Sequence, residues 1–152
     1  MILVNEAVSG TGMHGNEDDA FSVRRYLEVP EDADYVTICF GAGDSGGVLG
    51  TLLDENNTTV LGAWTVVLES LLQRLPFGKI GILIPDCGEE LRNGMIEVAK
   101  RWGVPYLDLK WDQGVCQRAA ELKNGAFLTD GVVNQKGHEW ISTVVEAFMR
   151  GL

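Results

Sequence analysis

The feature that most constrains this fold is an uninterrupted apolar run at residues 36–40, followed by a glycine-rich stretch at 41–47. A run of this kind predicts a strand buried on both faces of a parallel sheet. In an open α/β sheet, ligands bind just beyond the carboxyl ends of the strands. The glycine-rich stretch contains Asp44 and Ser45. We therefore expect a functional site at this turn.

The rest of the chain alternates between strand-like and helix-like patterns. Apolar runs predict further strands, and apolar residues at helical spacing predict helices that end at proline or glycine. The predicted strands cover 2–8, 34–40, 79–85 and 104–109. One predicted helix begins at the acidic run 16–19 and ends at Pro30, and three more cover 61–75, 89–102 and 136–152. Residues 113–122 are predicted to form a short helix or a loop. Such alternation predicts one domain over residues 1–152, with an α/β fold in three α/β/α layers, flavodoxin-like, around a short parallel sheet.

Charge and composition narrow the classes of partner. The formal net charge of −10 argues against binding to nucleic acid or to an anionic membrane surface. The three cysteines form no Cys-x-x-Cys pair, so neither a zinc site nor a redox dithiol is predicted. We expect no cofactor. No apolar run approaches the ~20 residues of a membrane span, and no secretory signal peptide is recognised. The expected partner is a small neutral or cationic molecule.

Three segments resemble sequence blocks of the SGNH (GDSL-type) hydrolases. Residues 32–44, ending in Gly-Ala-Gly-Asp, resemble the third block, Gly-x-Asn-Asp, which follows a buried strand. Residues 4–10 resemble the second block, whose glycine, here Gly10, lends an N–H to the oxyanion hole. Residues 130–138 resemble the fifth block, Asp-x-x-His, with Asp130 as its aspartate. The resemblance implies the fold of these enzymes and a ligand of the ester or glycan type.

The departures from the family pattern concern the catalytic residues. The family's serine belongs to a first block that does not occur here, Gly43 stands where the oxyanion asparagine would be, and the histidine is lost between Val132 and Val133. Losing one oxyanion donor alone slows acyl transfer roughly 100- to 1,000-fold. The resemblance thus implies a degenerate catalytic site and a non-catalytic binding or structural module. Segments similar to phage-associated members imply a cytoplasmic or virion-associated location.

A rearranged catalytic set is the alternative. Ser45 lies in a literal Gly-Asp-Ser, and His138 with Asp130 could complete a triad for an active esterase or deacetylase, acting for example on acetylated glycans. Ser9, beside Gly10, is a second hydroxyl near the expected site. A serine in a glycine-rich turn is, however, also ordinary turn chemistry. His14 lies in a polar loop, where we expect it to cap backbone groups or to face solvent.

The missing first strand has a structural consequence. In the family that strand lies between the strands of the second and third blocks, and without it backbone N–H and C=O groups would stay unpaired. We expect either direct pairing of residues 3–8 with 36–40 or a strand from another chain, which would make a homo-oligomer. A further interpretation is that the chain is a fragment of a longer hydrolase.

Overall fold

The computed structural model describes residues 3–16, 18–109, 128–129 and 132–152. Its elements, in chain order, are a 3-10 turn at Arg25–Glu28, strand β1 at Tyr35–Cys39, a 3-10 turn at Ala42–Asp44, helix α1 at Val60–Arg74, strand β2 at Lys79–Ile84, helix α2 at Glu89–Trp102, strand β3 at Tyr106–Asp108, strands β4 at Leu128–Thr129 and β5 at Val132–Val133, and helix α3 at Gln135–Arg150. This alternation confirms the predicted α/β class.

The main sheet is parallel, with strand order β1-β2-β3. Its register pairs Ile38 with Ile82 and Leu83 with Leu107. The short strands β4 and β5 pair antiparallel in a separate ribbon. Strand β2 is covered on both faces: Ile82 belongs to the core cluster shared with α1 and α2, whereas Gly81 lies against Phe148 near the end of α3. The three-layer arrangement is therefore confirmed.

Helix α1 supplies the centre of the core. Trp64, Leu68 and Leu71 are fully buried, and their spacing places them on one face of the helix. The hydroxyl of Thr59 caps the amino end by accepting from the backbone N–H of Gly62 at 3.3 Å. Of the helices in the described ranges, none combines the length and apolar character needed to cross a membrane.

The predicted strand at the amino end is wrong over its described part. Residues 3–8 form no strand, and Leu3 is 84% exposed. The buried guanidinium of Arg25 holds this segment instead, by donating to the carbonyl oxygen of Glu6 and to the hydroxyl of Thr11. Since these bonds fix the segment to the Arg25–Glu28 turn, its direct pairing with residues 36–40 is also wrong.

The helix predicted before Pro30 is replaced by turns that end in the short 3-10 turn. The backbone N–H of Phe21 donates to the carbonyl oxygen of Gly12 at 3.0 Å, and the backbone N–H of Ser22 donates to the carbonyl oxygen of Met13 at 3.1 Å. These donors bond across to the preceding loop rather than to carbonyls one helical turn earlier. Tertiary hydrogen bonds therefore overrode the helical pattern.

Strand β1 is confirmed, but its predicted burial on both faces is wrong. Ile38 is buried, whereas Tyr35, Thr37 and Cys39 are exposed. Within the described residues β1 pairs with β2 alone, so it lies at an edge of the sheet. An edge strand with one open face does not need apolar residues on both sides.

Pairing of this free edge with a strand from another chain remains a prediction. We expect light scattering after size exclusion to show a dimer, and Thr37→Lys to shift it towards monomer, because an exposed lysine opposes edge-to-edge pairing. Glu55→Lys, which adds the same cation on a distant exposed loop, should leave the mass unchanged. A strict monomer for the unmodified chain would contradict the prediction.

Candidate functional site

A tight turn follows β1 at the carboxyl end of the sheet. The N–H of Gly47 donates to the carbonyl of Asp44 at 3.0 Å, which closes a four-residue turn. Gly46 has φ +88°, the left-handed conformation that the third position of a type II turn requires. Ser45 lies exposed at the tip of this turn. The strand therefore delivers one carboxylate and one hydroxyl to the expected edge.

The loop at residues 11–15 packs directly on this turn. A Cβ on Gly43 would overlap the carbonyl oxygen of Thr11, and a Cβ on Gly12 would lie 2.7 Å from Oδ1 of Asp44. Both positions must be glycine because the two backbones are in contact. Gly43, which stands where the family resemblance places an oxyanion donor, thus closes the contact between the two segments.

The Asp44 carboxylate is the polar centre of this contact. Its side chain is buried, and Oδ1 accepts three hydrogen bonds: from the N–H of Met13 at 2.8 Å, from the N–H of His14 at 3.1 Å and from Nδ1 of His14 at 2.7 Å. Oδ2 is also buried and has no partner among the described residues. Because a carboxylate only accepts hydrogen bonds, this geometry assigns Nδ1 of His14 as the donor to Asp44 in its carboxylate form.

The His14 imidazole is held in one orientation with one nitrogen available. Its side chain is 18% exposed. Its ring packs on Gly47, where a Cβ would overlap both Cε1 and Nε2. Protonation of Nδ1 leaves the lone pair on Nε2 in the neutral ring. Nε2 is not buried and has no hydrogen-bond partner in the described part of the chain. The pair can therefore accept a proton from a molecule bound beside the turn.

Neighbouring elements fix the loop that carries His14. The side chain of Met13 is fully buried, and the N–H of Gly15 donates to the carbonyl of Asn57 at 2.8 Å. The Asn57 loop is itself ordered by Asp54, whose pKa is lowered by hydrogen bonds from the backbone and hydroxyl of Thr51 and from the hydroxyl of Thr59. The imidazole is thus positioned before any ligand arrives.

A second buried carboxylate lies at the end of β3, but it has a permanent counter-ion. Nε of Arg92, on α2, donates to Oδ2 of Asp108 at 2.7 Å, and this hydrogen bond raises the pKa of Arg92. Such a pair fastens α2 to the sheet. In the described ranges, no group of three or more His, Cys, Asp or Glu side chains is placed to hold a metal ion.

The structure brings together only part of the predicted site. Gly43, Asp44 and Ser45 lie at the carboxyl end of β1. Ser9 and Gly10 are exposed in the turn that leads into the 11–15 loop, and Gly10 has φ +80°.

Among the described residues, no hydrogen bond or ion pair joins the predicted base to this group. His138 is exposed near the start of α3, and Asp130 lies outside the described residues. Within the described chain, no hydrogen bond joins the side chains of Ser45 and His138. The position of the family histidine falls at β5, the Val132–Val133 strand.

The side chain of His14 is 18% exposed and bonded to Asp44, a contact that the expectation of a capping or solvent-facing histidine did not include. Thirty residues separate His14 from Asp44, so no local spacing could reveal the pair. One sequence signal of this contact was present, because glycines lie close to both residues: at 12 and 15 around His14, and at 43, 46 and 47 around Asp44. Clusters of glycine beside polar residues indicate close backbone approach.

Comparisons with known proteins show likeness at the level of structure. No family model and no curated protein matches the chain. A crystal structure from Lactobacillus plantarum superimposes with a TM-score of 0.76 at 24% identity, covering 94% of this chain and 78% of that one.

Two further crystal structures are candidate GDSL-like lipases. The protein from Bacteroides ovatus has a TM-score of 0.67 at 18% identity and covers 94% of this chain and 69% of its own. The protein from Bacteroides uniformis has a TM-score of 0.57 at 21% identity, and the superposition covers 77% of this chain and 65% of that one. The chain therefore has an SGNH/GDSL-like fold, as the resemblance implied.

Proposed function

We propose that this SGNH-like domain binds a small ester-bearing molecule beside the contact between the 11–15 loop and the Asp44–Gly47 turn, and that it does not form an acyl-enzyme at a serine. The fold supports the ligand class, since two structural neighbours are candidate GDSL-like lipases. The position supports the site, because ligands of α/β sheets bind at the carboxyl ends of the strands. The net charge of −10 favours a neutral or cationic ligand.

The observation that carries this proposal is the isolation of the Ser45 hydroxyl. A serine nucleophile needs a base within hydrogen-bond reach. Of the two histidines in the chain, His14 is bonded to Asp44 through Nδ1, and His138 is exposed on α3. Ser45 therefore lacks the hydrogen-bonded imidazole of a serine hydrolase in the described part of the chain.

Covalent labelling tests the proposal. We expect incubation with a fluorophosphonate, and separately with p-nitrophenyl acetate, to leave the intact mass of the protein unchanged. The matched control is Ser45→Ala, which should behave identically. A phosphonyl or acetyl adduct on Ser45 that the alanine variant lacks would contradict the proposal.

An active esterase with a rearranged triad is the second candidate. The Gly-Asp-Ser turn at the carboxyl end of β1 favours it, because Ser45 is exposed there to a ligand. In that case Ser45 would attack the acyl group, of an acetylated glycan for instance, with His138 as base and Asp130 as its partner. Ser45→Ala and His138→Gln would then each abolish turnover.

A further inference from the structure

Ligand binding alone does not explain why His14 is paired with a buried Asp44. A buried carboxylate that fixes the tautomer of a histidine is the arrangement by which enzymes prepare a general base. Here the carboxylate is buried and the Nδ1–Oδ1 distance is 2.7 Å, and Nε2 has no hydrogen-bond partner among the described residues. Neither His138 nor Ser45 shows such a pairing in the described residues.

We propose that His14, positioned by Asp44, is the general base of a water-dependent ester hydrolysis at this site. The proposal rests on the proposed function for its ligand class, and it adds a catalytic residue that acts without a serine nucleophile. General bases of this kind accelerate proton transfer steps typically 100- to 10,000-fold.

The step balances without any further reactant. Nε2 of His14 takes one proton from a water molecule while the water oxygen forms a bond to the acyl carbon. The tetrahedral intermediate then collapses, the bond to the leaving oxygen breaks, and that oxygen takes the proton back from Nε2. A carboxylic acid and an alcohol are released, and the imidazole is again neutral. Asp44 takes up no proton in this step and acts as a positioning residue.

The surroundings of the pair suit this task. The imidazole of His14 packs so closely on Gly47 that a Cβ at residue 47 would overlap it. The ring therefore cannot rotate towards the turn. The carboxylate keeps two backbone donors besides the imidazole, the N–H groups of Met13 and His14, so its position does not depend on the ring. A base fixed on both sides loses little entropy in reaching its working geometry.

The test is hydrolysis of p-nitrophenyl acetate by the full chain and by His14→Asn. The asparagine amide can still donate to Asp44, which preserves the fold, but it has no basic nitrogen. We expect the hydrolysis rate above background to be at least about 100-fold lower for the variant than for the unmodified chain. The rate of the unmodified chain should show a solvent deuterium isotope effect well above unity, and Asp44→Asn should lower kcat more than it changes KM.

The outcomes separate this inference from the proposed function. An unmodified chain without turnover, or a His14→Asn variant as fast as the unmodified chain, overturns the inference and leaves the binding role standing. Loss of turnover in His138→Gln together with an acetyl adduct on Ser45 overturns both, in favour of the serine triad. Loss of turnover in His14→Asn but not in His138→Gln, with Ser45 unlabelled, supports both the His14 base and the proposed function.

Discussion

We expect Gly43→Ala to lower the free energy of unfolding by about 3 kcal/mol and to push apart the two segments that meet there. The reason is steric: the added Cβ would overlap the carbonyl oxygen of Thr11 and crowd its carbonyl carbon and the Cα of Gly12. Backbone atoms cannot rotate away as a flexible side chain can. The measurement is urea unfolding followed by circular dichroism.

Gly88→Ala is the matched control for that substitution. Gly88 has φ −54° and a Cβ there would meet nothing within 4 Å. We expect a cost of no more than about 1 kcal/mol, the loss of a glycine helix cap. Equal destabilisation by the two alanines would show that Gly43 is not a point of contact between the loops.

Asp44→Ala is expected to destabilise the protein by about 3 kcal/mol, because buried donors left without an acceptor cost roughly 1–3 kcal/mol each. The substitution removes the acceptor of two backbone N–H groups, those of Met13 and His14, and of the imidazole. Thermal and urea unfolding measure the loss.

Two other substitutions give that prediction its controls. Asp44→Asn keeps one acceptor oxygen, so it should cost only about 1 kcal/mol. Glu55→Ala removes an exposed carboxylate and should change stability by less than about 0.5 kcal/mol. Wild-type stability in Asp44→Ala would mean that the three hydrogen bonds contribute nothing to folding.

Most of the fold follows from local pattern, because helices α1 and α2 and strand β2 bury long periodic or apolar runs. The errors arise where tertiary contacts replace the local preference. Residues 3–8 have a strand-like sequence, but Arg25 binds the carbonyl of Glu6, and they pair with none of the described strands. Strand β1 has a sequence typical of burial on both faces, yet among the described strands it lies at the edge of the sheet.

The sequence predicted which residues follow β1, but it did not predict the contact that His14 makes with them. The end of β1 was identified because a buried strand followed by glycine and polar residues indicates a ligand edge, and Asp44 and Gly43 lie there as expected. His14 was not identified, since its role depends on an approach between two loops thirty residues apart. Periodicity carries no information on such a contact.

The geometry of the His14–Asp44 pair is tested most directly by the tautomer of His14. Two-bond ¹H–¹⁵N correlation spectra of the imidazole nitrogens distinguish a proton on Nδ1 from one on Nε2. The structure predicts that neutral His14 carries its proton on Nδ1 alone, with His138 giving the tautomer mixture of an exposed histidine. A His14 spectrum indistinguishable from that of His138 would contradict the pair and the base that depends on it.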